Sequence, residues 1–266
     1  MGENKSLVRI GLRTSLKDLL NAGGLAVQPL FDFGSQRVAE AISTADFSLW
    51  RNDWFACGCR LLAEGALIYH RIRVEGGERI PRQGPALLLP KHCAYRDILV
   101  EGVALHRLTQ RYATYVMKVG LSGFLEWAGG VKIVRPKDLR RIADRQQRRA
   151  QIRWARDKNE QTLNYLAWLY RQGEVVVSHP EGMRYQDQMG VMQKEIVDHL
   201  MWVEERWEMR VPIIPIGLEY ESYSKPGSRV FFRVGEPMYT DNLTAEQLVA
   251  ELGQRIGDLS GFQKKG

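Results

Sequence analysis

Short apolar segments alternate with helical patterns along the chain after Gly76 and Gly77. The apolar runs, such as LLL, VVV and PIIPIGL, are continuous, which is typical of strands covered on both faces. The predicted strands are Ala86–Leu89, Thr114–Met117, Val131–Val134, Glu174–Val177, Val211–Leu218 and Val230–Val234. The predicted helices are Asp97–His106, Leu139–Arg171, Gln193–Glu208 and Ala245–Ile256. This alternation predicts an α/β layered domain with a mixed, largely parallel central sheet flanked by helices.

The first 70 residues carry a helical pattern of their own. It runs from Gln36 to about Tyr69, and the spacing of Trp50 and Trp54 predicts that they lie one turn apart on one helix face. Such a helix either packs on the main domain or lies in a bilayer interface, where tryptophan is favoured. We therefore divide the chain into an N-terminal helical segment, residues 1–70, and a main domain, residues 71–266. No charge-free apolar run reaches the ~18 residues that a membrane-spanning helix needs.

The composition excludes several classes of protein. With 44% hydrophobic and 26% charged residues, the chain is neither disordered nor collagen-like. Its three cysteines are too few for a disulfide framework, which predicts a reducing, cytoplasmic location. Cys57 and Cys59 lack the second ligand cluster that a zinc site needs, so we expect no metal.

The positive charge is concentrated in one segment. The 266-residue chain has a formal net charge of +7, and the ten basic and three acidic residues between Arg135 and Lys158 account for all of it. The spacing places five arginines on one helix face: Arg141, Arg145, Arg149, Arg153 and Arg156. That face is either simply solvated or meets an anionic partner, which is a nucleic acid, a membrane surface or an acidic protein.

One group of polar residues directly follows the predicted strand Ala86–Leu89. His92 comes at the carboxyl end of that strand, and Asp97 falls in the first turn of the next helix. A separation of five residues across a turn lets the carboxylate fold back onto the imidazole, fix its tautomer and leave the other ring nitrogen free to accept a proton. The alternative is that Asp97 merely caps the helix.

A second polar group follows the predicted strand Glu174–Val177. Glu181, Gly182 and Arg184 come within four residues of one another. A guanidinium binds phosphate through two hydrogen bonds, a glycine allows close backbone approach, and a carboxylate accepts from a hydroxyl. These residue types suit a phosphorylated polyol, although a Pro-Glu-Gly turn by itself is common.

Four blocks in order resemble those of the glycerolipid acyltransferases. They are His92-x4-Asp97, Gly130–Arg135, Pro180–Arg184 and Val211–Ile216. The resemblance spans roughly residues 73–240 and is strongest to the 1-acylglycerol-3-phosphate (lysophosphatidic acid) acyltransferases.

The resemblance implies a reaction and a set of roles. His92, oriented by Asp97, would remove the proton of a glycerol hydroxyl as its oxygen attacks an acyl thioester. Arg135 and Arg184 would hold the acceptor phosphate with help from Lys118, and Glu181 with Gly182 would contact the glycerol. The resemblance implies an acyl-CoA or acyl carrier protein donor, a lysophospholipid acceptor, no cofactor and no nucleic acid. The implied location is the cytoplasmic side of an anionic membrane, to which the protein binds peripherally.

Several residues depart from the family pattern. Cys93 and Ala94 stand where the family commonly has a polar residue and serine, and His179 stands where it usually has phenylalanine before Pro-Glu-Gly. Met183 and Tyr185 differ as well. These positions flank the implied acceptor contacts, so a different acceptor remains an alternative. A nucleic-acid-binding module using the basic helix is the alternative from another functional class.

Overall fold

A computed structural model describes residues 47–67, 70–121, 124–135, 139, 142–241 and 243–262. The helices among them are α1 (Asp53–Ala66), α2 (Asp97–Thr109), α3 (Phe124–Trp127), α4 (Arg145–Arg171), α5 (Glu195–Trp207) and α6 (Ala245–Leu259). The strands are β1 (His70–Glu75), β2 (Ala86–Pro90), β3 (Ala113–Lys118), β4 (Gly130–Ile133), β5 (Val175–Ser178), β6 (Ile213–Tyr220) and β7 (Ser228–Val234).

The strands form one seven-stranded sheet in the order β1-β7-β6-β2-β5-β3-β4. Strand β2 runs parallel to both β5 and β6, β3 runs parallel to β5, and only the β6–β7 pair is antiparallel among the pairings described. All residues of β2 and β5 are buried, as their continuous apolar runs predict. The predicted fold, an α/β layered domain with a mixed, largely parallel sheet, is confirmed.

The edge strand β1 is not among the predicted strands. Its sequence, HRIRVE, buries only His70, and it pairs in parallel with β7. A strand with four exposed positions lacks the continuous apolar run that marks the central strands, so only its pairing identifies it.

The described part of the N-terminal segment contains helix α1, which packs against α2. The helix begins later than the pattern predicts, because the Asn52 side chain accepts from the Phe55 amide and caps it there. The prediction that Trp50 and Trp54 share a helix face is therefore wrong. Trp50 precedes the helix and stacks on Tyr165 at 4.0 Å, whereas Trp54 is 91% exposed. The rest of the segment, residues 1–46, 68 and 69, lies outside the described residues, so the boundary at residue 70 stays a prediction.

The described residues fall into two compact units, residues 47–132 with 165–262, and residues 133–164. Within the smaller unit, the Asn159 side chain pairs with both backbone groups of Val134, accepting from its amide at 2.7 Å and donating to its carbonyl at 2.9 Å. Helix α4 begins at Arg145 and not at Leu139, and Arg141 lies outside the described residues. None of the helices in the described ranges is long and apolar enough to cross a membrane.

Candidate active site

Polar side chains gather at one edge of the sheet because three neighbouring strands are parallel. His92 follows β2, His179 follows β5, and Lys118 is the last residue of β3. Since β5 pairs with both β2 and β3, the carboxyl ends of these strands meet at the same edge. Open α/β sheets bind ligands at this edge, and the sequence predicts the two histidine-containing groups there.

His92 and Asp97 form a hydrogen-bonded pair. The Nδ1 atom of His92 lies 3.0 Å from Oδ2 of Asp97. The Asp97 side chain is fully buried, whereas 13% of the His92 side chain is exposed. A carboxylate only accepts hydrogen bonds, so Nδ1 carries the proton and Nε2 is left as the acceptor. The predicted contact between these two side chains is therefore present.

Three further donors hold the Asp97 carboxylate. The backbone amides of Cys93 and Ala94 donate to Oδ2 at 2.6 and 2.7 Å, which folds the loop around the carboxylate. The Tyr220 hydroxyl donates to Oδ1 at 2.7 Å, and burial together with the nearby Asp97 carboxylate raises the pKa of Tyr220. With every donor in place, the charge of Asp97 is satisfied inside the protein and its position is fixed.

Glu181 is paired with Lys91 in the protein interior. Its two carboxylate oxygens lie 2.8 and 2.9 Å from the Lys91 ammonium, and both side chains are almost fully buried. The Glu181 carboxylate also accepts from the amides of His92, at 3.1 Å, and Gly190, at 2.6 Å. The family resemblance assigns Glu181 to the glycerol of the acceptor. In the structure these internal donors occupy both oxygens, so Glu181 holds the His92 backbone in place.

Two glycines shape the loop after β5. Gly182 has a φ of 60°, a left-handed conformation that favours glycine, and its amide donates to the His179 carbonyl at 3.0 Å to close the turn. A side chain at Gly190 would overlap the Tyr185 ring, so only glycine brings its amide to Glu181. The Tyr185 amide donates to the His92 carbonyl at 2.9 Å and joins this loop to the one that carries His92.

Arg184 lies over an aromatic ring of the His92 loop. Its guanidinium carbon is 3.6 Å from the centre of the Tyr95 ring, and both side chains are exposed. A cation–π contact of this kind orients the guanidinium while leaving its N–H groups free for an anion.

Lys118 and Arg135 are the other two predicted phosphate ligands. Lys118 is exposed at the carboxyl end of β3, at the same sheet edge as His92. Arg135 is half-buried, lies just beyond β4 and belongs to the smaller compact unit. The predicted phosphate role of both residues stays a prediction.

Cys93 is adjacent to His92 but is directed into the interior. Its Sγ atom lies 3.6 Å from the Leu218 carbonyl oxygen, and the residue is buried. Burial, reinforced by the Asp97 carboxylate, raises the pKa of the Cys93 thiol to about 12. The thiol is therefore protonated at neutral pH, which makes it unsuitable as a nucleophile.

A second histidine–carboxylate pair adjoins the first. His179 Nε2 lies 2.9 Å from Oε1 of Glu101, and the rings of His179 and His92 are 4.2 Å apart between centroids. Burial lowers the pKa of His179, but the Glu101, Asp97 and Glu181 carboxylates outweigh it and raise the pKa overall. The sequence shows His179 as a departure from the family pattern but does not indicate its partner.

Four residues that build this site are not among those predicted from the sequence. Lys91, Glu101, Gly190 and Tyr220 all contact a predicted site residue or its neighbour. Two of them had a local signal: Lys91 directly precedes His92, and Glu101 lies four residues after Asp97 on the same helix. Gly190 and Tyr220 reach the site only through the folding of the chain.

Comparison with known proteins shows the family of the chain. The family model described as Acyltransferase matches residues 71–219, which is more than half of the chain and includes His92, Asp97, Glu181 and Arg184. The crystal structure of the 1-acyl-sn-glycerophosphate (LPA) acyltransferase PlsC from Thermotoga maritima matches with a TM-score of 0.52. That match covers 96% of this chain and 93% of the other at 15% sequence identity, and it shows a shared fold. No curated protein sequence matches the chain. The chain belongs to the Acyltransferase family and is an acyltransferase.

Proposed function

We propose that this acyltransferase moves a fatty acyl group from an acyl carrier protein or coenzyme A thioester to the hydroxyl of a lysophospholipid, with 1-acylglycerol-3-phosphate as the acceptor. The observation that carries the proposal is the pair formed by His92 and Asp97. A fully buried carboxylate orients a partly exposed imidazole, which is the arrangement that a general base needs.

The reaction follows from the protonation of this pair. Asp97 holds the proton of His92 on Nδ1, so Nε2 removes the proton of the acceptor hydroxyl as the oxygen attacks the thioester carbonyl carbon. The carbon–sulfur bond then breaks, and the imidazolium returns its proton to the leaving thiolate. The nucleophile belongs to the substrate, so no cysteine or serine of the enzyme is acylated.

Arg184 supports a phosphorylated acceptor. Its guanidinium is exposed and lies on Tyr95, which is three residues from His92. A phosphate bound there through two hydrogen bonds would bring the glycerol hydroxyl of the same molecule to the catalytic loop. Lys118, at the same sheet edge, adds positive charge for that phosphate. The family resemblance implies a phosphate contact for Arg135 as well.

Helix α1 supports a peripheral location on a membrane. Leu61 and Leu62 follow Trp54 by seven and eight positions, so the three side chains share one face of the helix. Trp54 is 91% exposed, Leu61 is 56% exposed and Leu62 is 77% exposed. An apolar helix face with tryptophan suits the interface of a bilayer, where a lysophospholipid acceptor resides. We therefore assign the N-terminal segment, residues 1–70, to the cytoplasmic surface of a membrane.

The basic face of α4 supports an anionic docking partner. Arg145, Arg149 and Arg153 are exposed at spacings of four residues. An anionic lipid surface and an acidic acyl carrier protein both suit this face, because they present the acceptor and the donor respectively.

An acyl-transfer assay tests the reaction. The full chain is given a panel of lysophospholipids with and without a phosphate monoester, each with coenzyme A and acyl carrier protein donors. We expect the fastest turnover with 1-acylglycerol-3-phosphate, and a loss of about 10²–10⁴-fold in kcat for His92→Ala. His106→Ala is the matched control, because the His106 ring lies 4.9 Å from that of Tyr112 and the residue is on the same helix as Asp97. Full activity of His92→Ala contradicts the mechanism, and turnover with no lysophospholipid of the panel contradicts the acceptor.

A binding experiment tests the docking surfaces. We expect the substitutions Trp54→Ser, Leu61→Ser and Leu62→Ser together to weaken sedimentation with vesicles that contain phosphatidylglycerol. Replacing Arg145, Arg149 and Arg153 with alanine should weaken binding to those vesicles or to acyl carrier protein. Alanine at the exposed residues Arg71, Arg73 and Arg82 removes the same charge elsewhere and serves as the control. Tight, salt-sensitive binding to nucleic acid without vesicle binding would favour the alternative function.

A further inference from the structure

Helix α2 presents two carboxylates, and each is paired with a histidine. Asp97 and Glu101 are four residues apart, so they lie on one face of the helix. Asp97 pairs with His92 after β2 at 3.0 Å, and Glu101 pairs with His179 after β5 at 2.9 Å. The site therefore contains the same histidine–carboxylate arrangement twice, on adjacent strands.

The two imidazole rings are in contact. Their centroids are 4.2 Å apart and their planes are inclined by 33°. One face of His92 is therefore covered by His179, and any charge on His179 acts directly on His92. Only 11% of the His179 side chain is exposed, so solvent screens that charge weakly.

The surroundings of Glu101 require the His179–Glu101 pair to hold a proton. Glu101 is 3% exposed, and Oε2 has no hydrogen-bond partner within the described ranges. The Tyr115 hydroxyl beside it is likewise buried and unpartnered there, and the remaining lining of the small cavity that both border is apolar. A carboxylate in such surroundings is stable only with a proton or a cation beside it, and His179 supplies one.

Charged and titratable groups from several elements surround the two histidine–carboxylate pairs. Burial lowers the pKa of His179, but the nearby carboxylates raise it overall, and Glu101 makes the largest of these contributions. The groups are Asp97 and Glu101 from α2, Tyr115 from β3, Tyr220 from β6, Tyr223 after it, Lys91 and Cys93 after β2, and Glu181 and Tyr185 after β5.

We propose that His179 and Glu101 form a positioning pair that holds a proton against the face of His92 and so extends acyl transfer to lower pH. This inference rests on the proposed role of His92 as general base. A protonated ring in contact with His92 opposes the arrival of a second proton from solvent, so the base stays available in more acidic conditions. The contact also restricts the orientation of the ring that must receive the hydroxyl proton.

The size of the effect follows from the separation of the charges. Two charges at about 4 Å interact strongly at a partly buried site, but Glu101 cancels much of the field of His179. We therefore expect the pair to move the acid limb of the activity profile by roughly one pH unit.

The first experiment measures kcat/KM against pH for the full chain. Replacing His179 with phenylalanine, the residue usual in the family, should move the acid limb upward by roughly one pH unit, since the neighbouring positive charge is lost. His179→Gln removes the charge and keeps a donor for Glu101, so it serves if the phenylalanine variant does not fold. His106→Phe should leave the limb in place. An unmoved limb in folded His179 variants overturns the proposal.

The second experiment does not depend on activity. Nitrogen-15 NMR of the histidine rings should show His179 as an imidazolium at neutral pH, and Glu101→Gln should convert it to a neutral ring. A neutral His179 ring in the wild-type chain overturns the inference whatever the activity. Absence of acyl transfer in the wild-type chain contradicts the proposed function, and with it the role of the pair, even where NMR finds the imidazolium.

Discussion

The Tyr220 hydroxyl donates to Oδ1 of Asp97 at 2.7 Å, although 123 residues separate the two in sequence. Tyr220 is the last residue of β6. This strand is longer than its neighbour β2 and continues past the carboxyl end of β2. This bond occupies the carboxylate oxygen that His92 does not use. The orientation of the proposed general base therefore depends on a strand that contributes no residue to the chemistry.

Tyr220→Phe should lower both stability and turnover. The substitution leaves a buried carboxylate oxygen with one donor fewer, which costs about 1.5–3 kcal/mol in the free energy of unfolding. If the transition state of the reaction loses about 1.4 kcal/mol of stabilisation through the same bond, kcat decreases roughly tenfold. Urea unfolding and an acyl-transfer assay measure the two effects.

Tyr223→Phe is the control for this variant. Tyr223 stacks on Tyr220 with ring centroids 4.8 Å apart, and its hydroxyl interacts with Cys93. We expect its kcat to remain close to that of the wild type. Equal losses in the two variants would mean that the effect of Tyr220→Phe is not specific to the hydrogen bond with Asp97.

Lys91→Met should destabilise the protein severely. The substitution leaves Glu181 buried without its cation, and breaking a buried ion pair from one side costs about 3–5 kcal/mol. The double variant Lys91→Met with Glu181→Gln removes the stranded charge and should recover part of that loss. Chemical unfolding of both variants measures the difference. A single variant as stable as the wild type would show that the pair is not needed to hold the loops together.

Cys93→Ala should retain activity. The thiol is directed toward the Leu218 carbonyl, and burial raises its pKa to about 12, so it does not form an acyl-enzyme. We expect kcat within about twofold of the wild type, because the nucleophile belongs to the substrate. Mass spectrometry of acid-quenched reactions provides a second check. An acyl group on Cys93, together with loss of turnover in the alanine variant, would contradict the proposed mechanism.

Asp198→Asn should stabilise the protein near neutral pH. Burial, with a smaller contribution from Glu246 and Glu195, raises the pKa of Asp198 from 3.8 to about 6 in spite of Lys194. Because the folded pKa is raised, the stabilising contribution of the neutral acid is present below pH 3.8 and is lost as the pH rises through about 6.

Solvent limits the stability gained by Asp198→Asn. The side chain is partly exposed, so solvent reduces the gain expected from asparagine to about 1 kcal/mol. Thermal unfolding across the pH range should show the gain above pH 6 and no difference below pH 4. Glu195→Gln changes an exposed carboxylate in the same helical turn and should not alter stability. A gain that is the same at every pH would contradict this explanation.

The local pattern of the sequence determined the central part of the fold. Continuous apolar runs identified β2 and β5 because both are covered on both faces. The helical patterns identified α2, α4, α5 and α6 but not the one-turn helix α3. The pairing of His92 with Asp97 was also predictable, because only a single turn separates them. The edge strand β1 and the start of α1 were missed, since each depends on a partner or cap that the apolar pattern does not contain.

The tertiary structure alone decided which side chains support the predicted pair. Lys91 meets Glu181 across 90 residues, Glu101 meets His179 across 78, and Tyr220 meets Asp97 across 123. These contacts exist because β2 lies between β5 and β6 in the sheet, an order that follows from packing the whole chain. Sequence spacing places residues within a strand or a helical turn but does not determine which strands become neighbours. The sequence therefore predicted the His92–Asp97 pair that we propose as the general base, and the sheet order supplied its surroundings.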